Sequence, residues 1–309
     1  MRVVFMGTPE ASVPSLVAVA EQHEVAAVYT QPDRPKGRGL TEQPSAVKQA
    51  AERLGLPVIE PATMKDDAEL DRLRSFAADA AAVVAFGHIL PPGALQAARL
   101  GCVNVHFSLL PRWRGAAPVE RAIMSGDTVT GITTMLMDEG LDTGPILLQC
   151  REPIRPDDTA GTLLDRLSVA GAEELVRTLG RLEAGDVVPK PQPEGAATYA
   201  RKLSSSEAEL TFNLEVRRLA DLVRAMNPQP GAFTWFRSSR LKVWKSRATE
   251  GSGTPGTIAA ITPDGPEVQA RDGRFVLLEV QPEGKKVMSG PDFVNGYRPA
   301  RGEQLGSPG

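Results

Sequence analysis

The sequence predicts an α/β protein in two parts: a mostly parallel sheet between helices, then a small antiparallel β-barrel or sandwich. Two observations lead to this prediction. Apolar runs alternate with helical patterns over roughly the first 200 residues, and short strand-like runs follow a proline-rich stretch. Alternating strands and helices are typical of βαβ units in a doubly wound, Rossmann-like sheet. Repeated short strands separated by turn residues are typical of small barrels and sandwiches.

Each strand of the first part is predicted by a short apolar run that is β-branched or bounded by Gly or Pro. Continuous runs of this kind fit strands that are buried on both faces. The predicted strands are Arg2–Met6, Val25–Thr30, Ala81–Phe86, Cys102–His106, Thr130–Met137 and Ile146–Cys150. Apolar residues at helical spacing predict helices at Val13–Glu21, Ala46–Leu54, Glu69–Ala77, Gly93–Ala98, Pro118–Ser125 and Leu163–Leu182.

The composition changes after Gly185, where three prolines follow in quick succession. We therefore predict a first domain over residues 1–186, a linker over 187–206 and a second domain over 207–309. The chain after Tyr297 is rich in Gly and Pro and is expected to fray. The second domain is predicted to hold a helix at Leu214–Met226 and strands at Ala232–Phe236, Leu241–Trp244, Gly256–Ile261, Glu267–Ala270 and Phe275–Val280.

Composition and charge exclude several classes of protein. Hydrophobic residues make up 41% and charged residues 24% of the chain, which is ordinary for a globular protein. We find no apolar run long enough to span a bilayer and no signal peptide, so a cytoplasmic protein is expected. With 2 Cys and 3 His, neither a disulfide nor a conventional zinc site is expected. The last third is mildly basic and the rest acidic, a weak indication of a polyanionic partner.

Asn104 and His106 stand at the end of a predicted strand. Residues at positions i and i+2 of a strand project from the same face, so both side chains point the same way. In open α/β sheets, ligands bind beyond the carboxyl ends of the strands. An amide and an imidazole can stabilise an oxygen that gains charge in a tetrahedral intermediate, and the imidazole can also relay a proton. Capping or turn chemistry is the alternative interpretation of this pair.

A Gly-rich turn between the last two strands of the first part carries three carboxylates, at Asp138, Glu139 and Asp142. One of them could reach back to His106, orient its ring and raise its basicity. Such a group needs no Ser or Cys nucleophile if the attacking atom is the amine of a substrate. Aspartate in a Gly-rich turn is also ordinary turn chemistry, and the sequence leaves both interpretations open.

Three loops could bind a ligand. In Ser108–Gly115, Arg112 and Arg114 flank an indole and could meet a phosphate or carboxylate. The loop Gln31–Gly39 is basic and is either a mobile arm or a solvated surface loop. Gly7–Glu10 follows the first strand, but it lacks the G-x-G-x-x-G pattern, and no acidic residue closes the second strand. A nicotinamide dinucleotide site is therefore not expected.

These motifs together resemble the methionyl-tRNA formyltransferase family. The likeness is carried by Gly7-Thr8-Pro9-Glu10, Thr30–Pro35, Asn104-Val105-His106, Ser108–Gly115, Gly140-Leu141-Asp142-Thr143-Gly144 and Lys242-Val243-Trp244-Lys245. The resemblance implies a Rossmann-like catalytic domain and a C-terminal barrel of the OB type that binds tRNA. It also implies formyl transfer from 10-formyltetrahydrofolate, as co-substrate, to the amino group of initiator methionyl-tRNA. We further expect a monomer without a metal.

By motif match, the resemblance assigns a role to each candidate residue. The catalytic set would be Asn104, His106 and Asp142; the folate contacts would be Ser108, Leu109, Leu110 and Pro111; and the tRNA contacts would be Arg34, Lys36 and Arg38. One departure is Ala11, which stands where the family commonly has an aromatic residue near the methionine side chain.

Other functions remain open from the sequence. The nearest alternative is a folate-dependent formyltransferase that acts on a small amine, such as an amino-sugar nucleotide or glycinamide ribotide. A non-catalytic RNA-binding module is a second alternative, although only 5% of the residues are aromatic.

Overall fold

The structure, a computed structural model, describes residues 1–36 and 41–306, with only the backbone path at 34–36, 41 and 42. The described chain divides into two compact units. The first comprises Met1–Pro118, Val129–Pro153 and Leu164–Ala200; the second comprises Val119–Thr128, Ile154–Leu163 and the chain from Arg201 onward. Among the described residues, no helix is both long and apolar enough to cross a bilayer.

The first unit is built on a seven-stranded sheet. Its elements, in chain order, are β1 (Arg2–Gly7), α1 (Val13–Gln22), β2 (Glu24–Tyr29), β3 (Arg34–Lys36), β4 (Thr41–Gln43), α2 (Ala46–Arg53), β5 (Val58–Ile59), α3 (Asp67–Ser75), β6 (Ala80–Val84), α4 (Pro92–Leu95), β7 (Cys102–His106), β8 (Arg114–Gly115), α5 (Pro118–Met124), β9 (Val129–Leu136), β10 (Ile146–Pro153), α6 (Ala160–Glu183) and β11 (Tyr199–Ala200). Most of α5 and the first turn of α6 belong to the second unit.

The sheet order is β10-β9-β7-β6-β1-β2-β5, with parallel pairing from β7 through β5 and antiparallel pairing at β9 and β10. One face packs on α3 and α4, where Leu73 and Ala94 share a core with Val4 and Met6. The other face packs on α6, where Gly171 lies against Val105. The Rossmann-like fold predicted from the apolar runs is confirmed, and the strand Cys102–His106 has the predicted bounds.

Three short pairings are absent from the sequence prediction. The strands β3 and β4 form a hairpin, β5 adds an edge strand, and β8 pairs in parallel with β11. The segment 187–200, predicted as linker, belongs to the first unit, where Lys190 bridges to Ile146. Strands of two or three residues carry no periodic signal, so their pairing is visible only in three dimensions.

The second unit is a six-stranded antiparallel sheet with two further helices. Its elements are α7 (Val216–Ala225), β12 (Ala232–Phe236), β13 (Ser239–Thr249), β14 (Ile258–Thr262), β15 (Gly265–Gln269), β16 (Arg274–Pro282), β17 (Met288–Ser289) and α8 (Gly290–Tyr297). The order is β12-β13-β16-β15-β14, and β17 pairs with β16. Its core is apolar and fully buried at Leu219, Val243, Phe275 and Phe293.

The prediction that the chain frays after Tyr297 is wrong for the described part of the tail. Leu305 bridges to Phe236 at one edge of the sheet, and Gln304 bridges to Thr257 beside the other edge. Leu305 is also buried in the core of the unit. The tail therefore closes the space between the two edge strands, in agreement with the predicted barrel-like second part.

The core of the second unit makes a testable prediction through two isoleucines on β14. Ile258 is 1% exposed, whereas Ile261 is 39% exposed. We expect Ile258→Ala to lower the free energy of unfolding by roughly 2–5 kcal/mol, because it leaves a cavity in a packed core. The control Ile261→Ala should cost less than about 1 kcal/mol. Chemical denaturation followed by tryptophan fluorescence measures both, and equal losses would contradict the assigned core.

Candidate active site

The strand β7 places Asn104 and His106 on one face of the sheet. Their backbones pair with Met135 and Thr133 of β9, so the register of both residues is fixed by main-chain hydrogen bonds. Val105, between them, points to the opposite face and packs near α6. His106 is buried and Asn104 is half-buried. The alternation of β7 therefore directs an amide and an imidazole to the same side, as predicted.

Both ring nitrogens of His106 have a neighbour. The Nε2 atom lies 2.8 Å from the carbonyl oxygen of Trp113. Because a carbonyl only accepts hydrogen bonds, Nε2 carries a proton and donates it. The Nδ1 atom lies 3.6 Å from Oδ2 of Asp142. Nδ1, the other ring nitrogen, therefore faces the carboxylate.

Asp142 is the carboxylate of the Gly-rich turn that reaches His106. Its side chain is only 16% exposed, and its Oδ2 accepts a hydrogen bond of 2.8 Å from the backbone N–H of Gly115. Its φ of 52° lies in the left-handed region, where aspartate is tolerated better than most residues. The other two carboxylates have different surroundings. Asp138 accepts from Gly140 N and Thr143 Oγ1 within the turn, and Glu139 is exposed.

The turn must fold back over the sheet to bring Asp142 to this position. Because β9 runs antiparallel to β7, its last residue, Leu136, pairs with Val103 rather than with His106. The turn thus starts roughly 10 Å along β7 from His106, at about 3.3 Å per strand residue. At Gly144 the turn lies against β9 so closely that a Cβ atom would stand 1.8 Å from the carbonyl oxygen of Leu136.

The amide of Asn104 makes no side-chain hydrogen bond within the part of the chain that the structure describes. It projects from the same face as His106, so a substrate oxygen placed there could accept its N–H. The Asn104 amide is therefore a hydrogen-bond donor without a protein acceptor among the described residues, beside an imidazole whose Nε2 already has one. Such a donor is suited to binding an oxygen that gains negative charge.

The segment Ser108–Pro111 is held by two side chains that the sequence does not single out. Thr133 Oγ1 donates to the Ser108 carbonyl at 2.7 Å and accepts from Leu110 N at 3.0 Å. Gln149 Nε2 donates to the Leu110 carbonyl at 2.9 Å. The Ser108 hydroxyl donates to the carbonyl of Arg112. The hydroxyl of Ser108 thus holds the loop itself, and Leu109 and Pro111 are the half-buried residues of Ser108–Pro111.

Arg114 corrects one expectation from the sequence. The sequence offers it as a cation for a ligand phosphate or carboxylate, but its side chain is 0% exposed and pairs with Glu194 at 3.0 Å. Its Nε donates to Gln192 Oε1 at 3.0 Å. The Glu194 carboxylate raises the pKa of the guanidinium above its usual value. Arg114 is therefore an internal cation, whereas Arg112 lies over the Trp113 ring at 4.4 Å.

Burial also settles the chemistry of Cys102. The thiol is 1% exposed, and burial raises its pKa to about 12. A thiol with such a pKa is not a nucleophile near neutral pH. Among the described residues, no group of three or more His, Cys, Asp and Glu could hold a metal ion.

The basic loop is only partly described. Arg34 and Lys36 lie on the β3 strand of a hairpin, and Arg38 lies outside the described residues. At the base of the hairpin, Lys48 Nζ lies 2.9 Å from Asp33 and 2.8 Å from Glu60. The hydrogen bond from Lys48 lowers the pKa of Asp33. The hairpin thus starts from a fixed point on α2, and the roles of its cations stay a prediction.

The chain belongs to the formyl transferase family. Residues 1–179 match the formyl transferase family, and residues 202–298 match the family of formyl transferase C-terminal domains. A protein of Geotalea uraniireducens named methionyl-tRNA formyltransferase is 45% identical over 99% of this chain and 98% of its own length. A protein of the same name from Acidithiobacillus ferrooxidans is 48% identical over 99% of this chain and 98% of its own length.

Solved structures confirm the fold. An N-formyltransferase from Helicobacter canadensis, in complex with folinic acid and dTDP-3-aminofucose, superposes with a TM-score of 0.65 at 18% identity. The alignment covers 89% of this chain and 98% of that one. Methionyl-tRNA formyltransferase from Clostridium thermocellum superposes with a TM-score of 0.57 at 19% identity, over 82% and 95% of the two chains.

Two threonines of β9 test how the Ser108–Pro111 loop is held. We expect Thr133→Val to lower the free energy of unfolding by roughly 1–3 kcal/mol, because it leaves Leu110 N without its acceptor. The control is Thr130→Val on the same strand. The Thr130 hydroxyl is buried and has no hydrogen-bond partner among the described residues. This control should be neutral or stabilising, and a loss as large as that of Thr133→Val would refute the assigned role.

Proposed function

We propose that this protein transfers a formyl group from 10-formyltetrahydrofolate to the amino group of initiator methionyl-tRNA. The observation that carries the proposal is the convergence of Asn104, His106 and Asp142 on one face of β7, with Nδ1 of His106 3.6 Å from Asp142. Relatives named methionyl-tRNA formyltransferase that align over nearly their whole length support the choice of acceptor.

The reaction needs no protein nucleophile. The methionyl nitrogen attacks the formyl carbon, a C–N bond forms, and the carbonyl electron pair moves to the oxygen. When the intermediate collapses, the bond to the folate nitrogen breaks, and that nitrogen takes up a proton while the attacking amine loses one. The buried thiol of Cys102 and the committed hydroxyl of Ser108 agree with this direct transfer.

Asn104 supplies an N–H to the oxygen of the tetrahedral intermediate, since its amide is not used within the described protein. Asp142 and His106 handle the proton. The carboxylate faces Nδ1, so it orients the ring and can receive the proton that the amine loses, either directly or through the imidazole. For His106 also to touch the substrate oxygen, Nε2 would have to leave the carbonyl of Trp113, which lies 2.8 Å away.

The formyl donor is consumed, so it is a substrate rather than a resident group. The segment Ser108–Pro111 follows β7 directly, and Thr133 and Gln149 fix its backbone. A rigid main chain beside the catalytic group suits recognition of a flat pteridine ring by backbone groups. We propose Ser108, Leu109, Leu110 and Pro111 as the folate contacts on this basis.

The tRNA contacts are proposed on two surfaces. One is the hairpin that carries Arg34 and Lys36, together with Arg38. The other is a groove of about 490 Å³ within the second unit, which includes Arg155 and Arg217. Both side chains are exposed, while Arg224 in the same groove is paired with Asp221 at 2.6 Å. Exposed cations in a groove suit backbone phosphates.

The assignment of residues 1–186 to catalysis and 207–309 to tRNA binding is part of this proposal, with 187–206 connecting them although 187–200 lie in the first unit. We further propose that the protein acts as a monomer in the cytoplasm, where its tRNA substrate is found. The acceptor is tested by comparing formyl transfer to methionyl-tRNA, to an amino-sugar nucleotide and to glycinamide ribotide. Faster transfer to one of the small amines would refute the proposed acceptor.

The catalytic assignment predicts large effects of three single substitutions. Asn104→Ala, His106→Ala and Asp142→Asn should each slow single-turnover formyl transfer by about 10²–10⁴-fold, the usual contribution of an acid–base group or an oxyanion donor. Glu139→Gln is the control, since this exposed carboxylate lies on the same turn as Asp142. Rates within about tenfold of the parent for all three variants would show that these residues have no chemical role in the transfer.

The groove predicts a salt-dependent tRNA interaction. In the full-length Arg155→Gln/Arg217→Gln variant, the slope of log K against log salt should fall in magnitude by about 2, one unit for each lost phosphate contact. The control is Arg72→Gln, which removes an exposed cation from α3 in the first unit. Filter binding at several salt concentrations measures the slopes, and an unchanged slope in the double variant would exclude the groove.

A further inference from the structure

The geometry points to Gln192 as a positioning residue that holds Asp142 against His106, with Arg114 and Glu194 supporting it. This inference rests on the proposed function, because it concerns the group that carries the transfer. None of the three residues touches the imidazole of His106 or the carboxylate of Asp142. They act on the main chain of the turn and on the strand beside it.

Gln192 uses its whole amide to connect the turn to β8. Its Nε2 donates to the carbonyl oxygens of Asp142 at 2.8 Å and Gly144 at 2.7 Å. Its Oε1 accepts from Arg114 Nε at 3.0 Å. The side chain is buried, with the residue only 8% exposed. The two N–H groups of one amide therefore hold both ends of the three-residue segment that starts with Asp142.

The turn depends on such an anchor because it is folded back over the sheet. Asp142 has a positive φ, and Gly144 lies in direct contact with the backbone of β9. The bond of 2.7 Å from Gln192 to Gly144 is formed by buried groups. Without Gln192, two carbonyl oxygens would lose their donor, which is costly for buried groups and favours a displacement of the turn.

Arg114 connects Gln192, which holds the main chain of the turn, to the strand that binds the carboxylate of Asp142. Its side chain orients Gln192, and the next residue, Gly115, donates its N–H to Asp142 Oδ2 at 2.8 Å. The strand Arg114–Gly115 is itself fixed by its pairing with Tyr199–Ala200. Asp142 is thus held from two directions, through its carbonyl by Gln192 and through its carboxylate by Gly115.

Glu194 keeps the buried guanidinium in place. Its two carboxylate oxygens accept from Arg114 Nη1 at 3.2 Å and Nη2 at 3.0 Å. A buried cation requires a partner, since its charge is otherwise strongly destabilising. The Glu194 side chain is 73% exposed, so it can be changed without opening the core.

The distance between His106 Nδ1 and Asp142 Oδ2 is already 3.6 Å. A further displacement of the turn would take the carboxylate out of reach of the ring. Misplacing a reacting group by about 1 Å costs on the order of 10²-fold in rate. A residue that sets this distance should therefore affect the chemical step and not the binding of tRNA.

The test compares Gln192→Leu with Gln269→Leu. Gln269 is a matched control in the second unit: it is 1% exposed, and its Nε2 donates to the carbonyls of Ala270 at 2.8 Å and Gly273 at 2.9 Å. We expect Gln192→Leu to slow single-turnover formyl transfer at saturating substrates about 10²-fold, with the KM for tRNA within about threefold of the parent. Gln269→Leu should lower the melting temperature without changing the rate.

A folded Gln192→Leu variant with the parental rate would overturn the inference, and so would an equal loss of rate in Gln269→Leu. If Gln192→Leu fails to fold, Glu194→Gln decides the matter. It keeps the shape of the exposed side chain but removes the charge that fixes Arg114. A severalfold lower kcat at unchanged KM supports the inference, and an unchanged kcat overturns it.

Asp142→Asn separates this inference from the proposed function. If the parent protein does not formylate methionyl-tRNA, the proposed function fails. If the parent is active and Asp142→Asn is impaired while folded Gln192→Leu is not, only the positioning role fails.

Discussion

The candidate site depends on one geometrical constraint, the return of the Gly-rich turn over β7. Because β9 is antiparallel to β7, the chain leaves the sheet beside Val103, at the far end of the strand from His106. Every feature of the turn serves that return. Asp138 closes its first half, Gly144 allows the close approach to β9, and Gln192 holds its carbonyls. Without this return of the turn, the carboxylate of Asp142 would not reach Nδ1 of His106.

The ionisable groups of the site are held mainly by backbone groups. The Trp113 carbonyl accepts from His106, and the Gly115 N–H donates to Asp142. A backbone dipole fixes a side chain without adding a second titrating group to the same cluster. The full charges of the network, on Arg114 and Glu194, lie on the other side of Gln192.

Much of the fold was predictable, and the reason is physical. Strands buried on both faces must be continuously apolar, so β1, β2, β6 and β7 could be located from hydrophobic runs, and Asn104 and His106 followed from the alternation of β7. Polar side chains whose role lies in a few specific hydrogen bonds leave no such pattern in the sequence. Gln192 lies in a proline-rich stretch, and Thr133 is one of three threonines of β9. Spacing alone could not distinguish Asp142 from Asp138 either, because their difference is the partner each one finds after folding; only the family resemblance selected Asp142.

The closure of the second unit by Glu303–Leu305 has a consequence for the end of the chain. The tail bridges to β12 at Phe236 and to Thr257, the residue before β14. Exposed strand edges are templates on which other chains can pair and aggregate. Removal of Gln304 and Leu305 would therefore uncover parts of both edge strands and favour edge-to-edge association, even though no residue of the candidate site is lost.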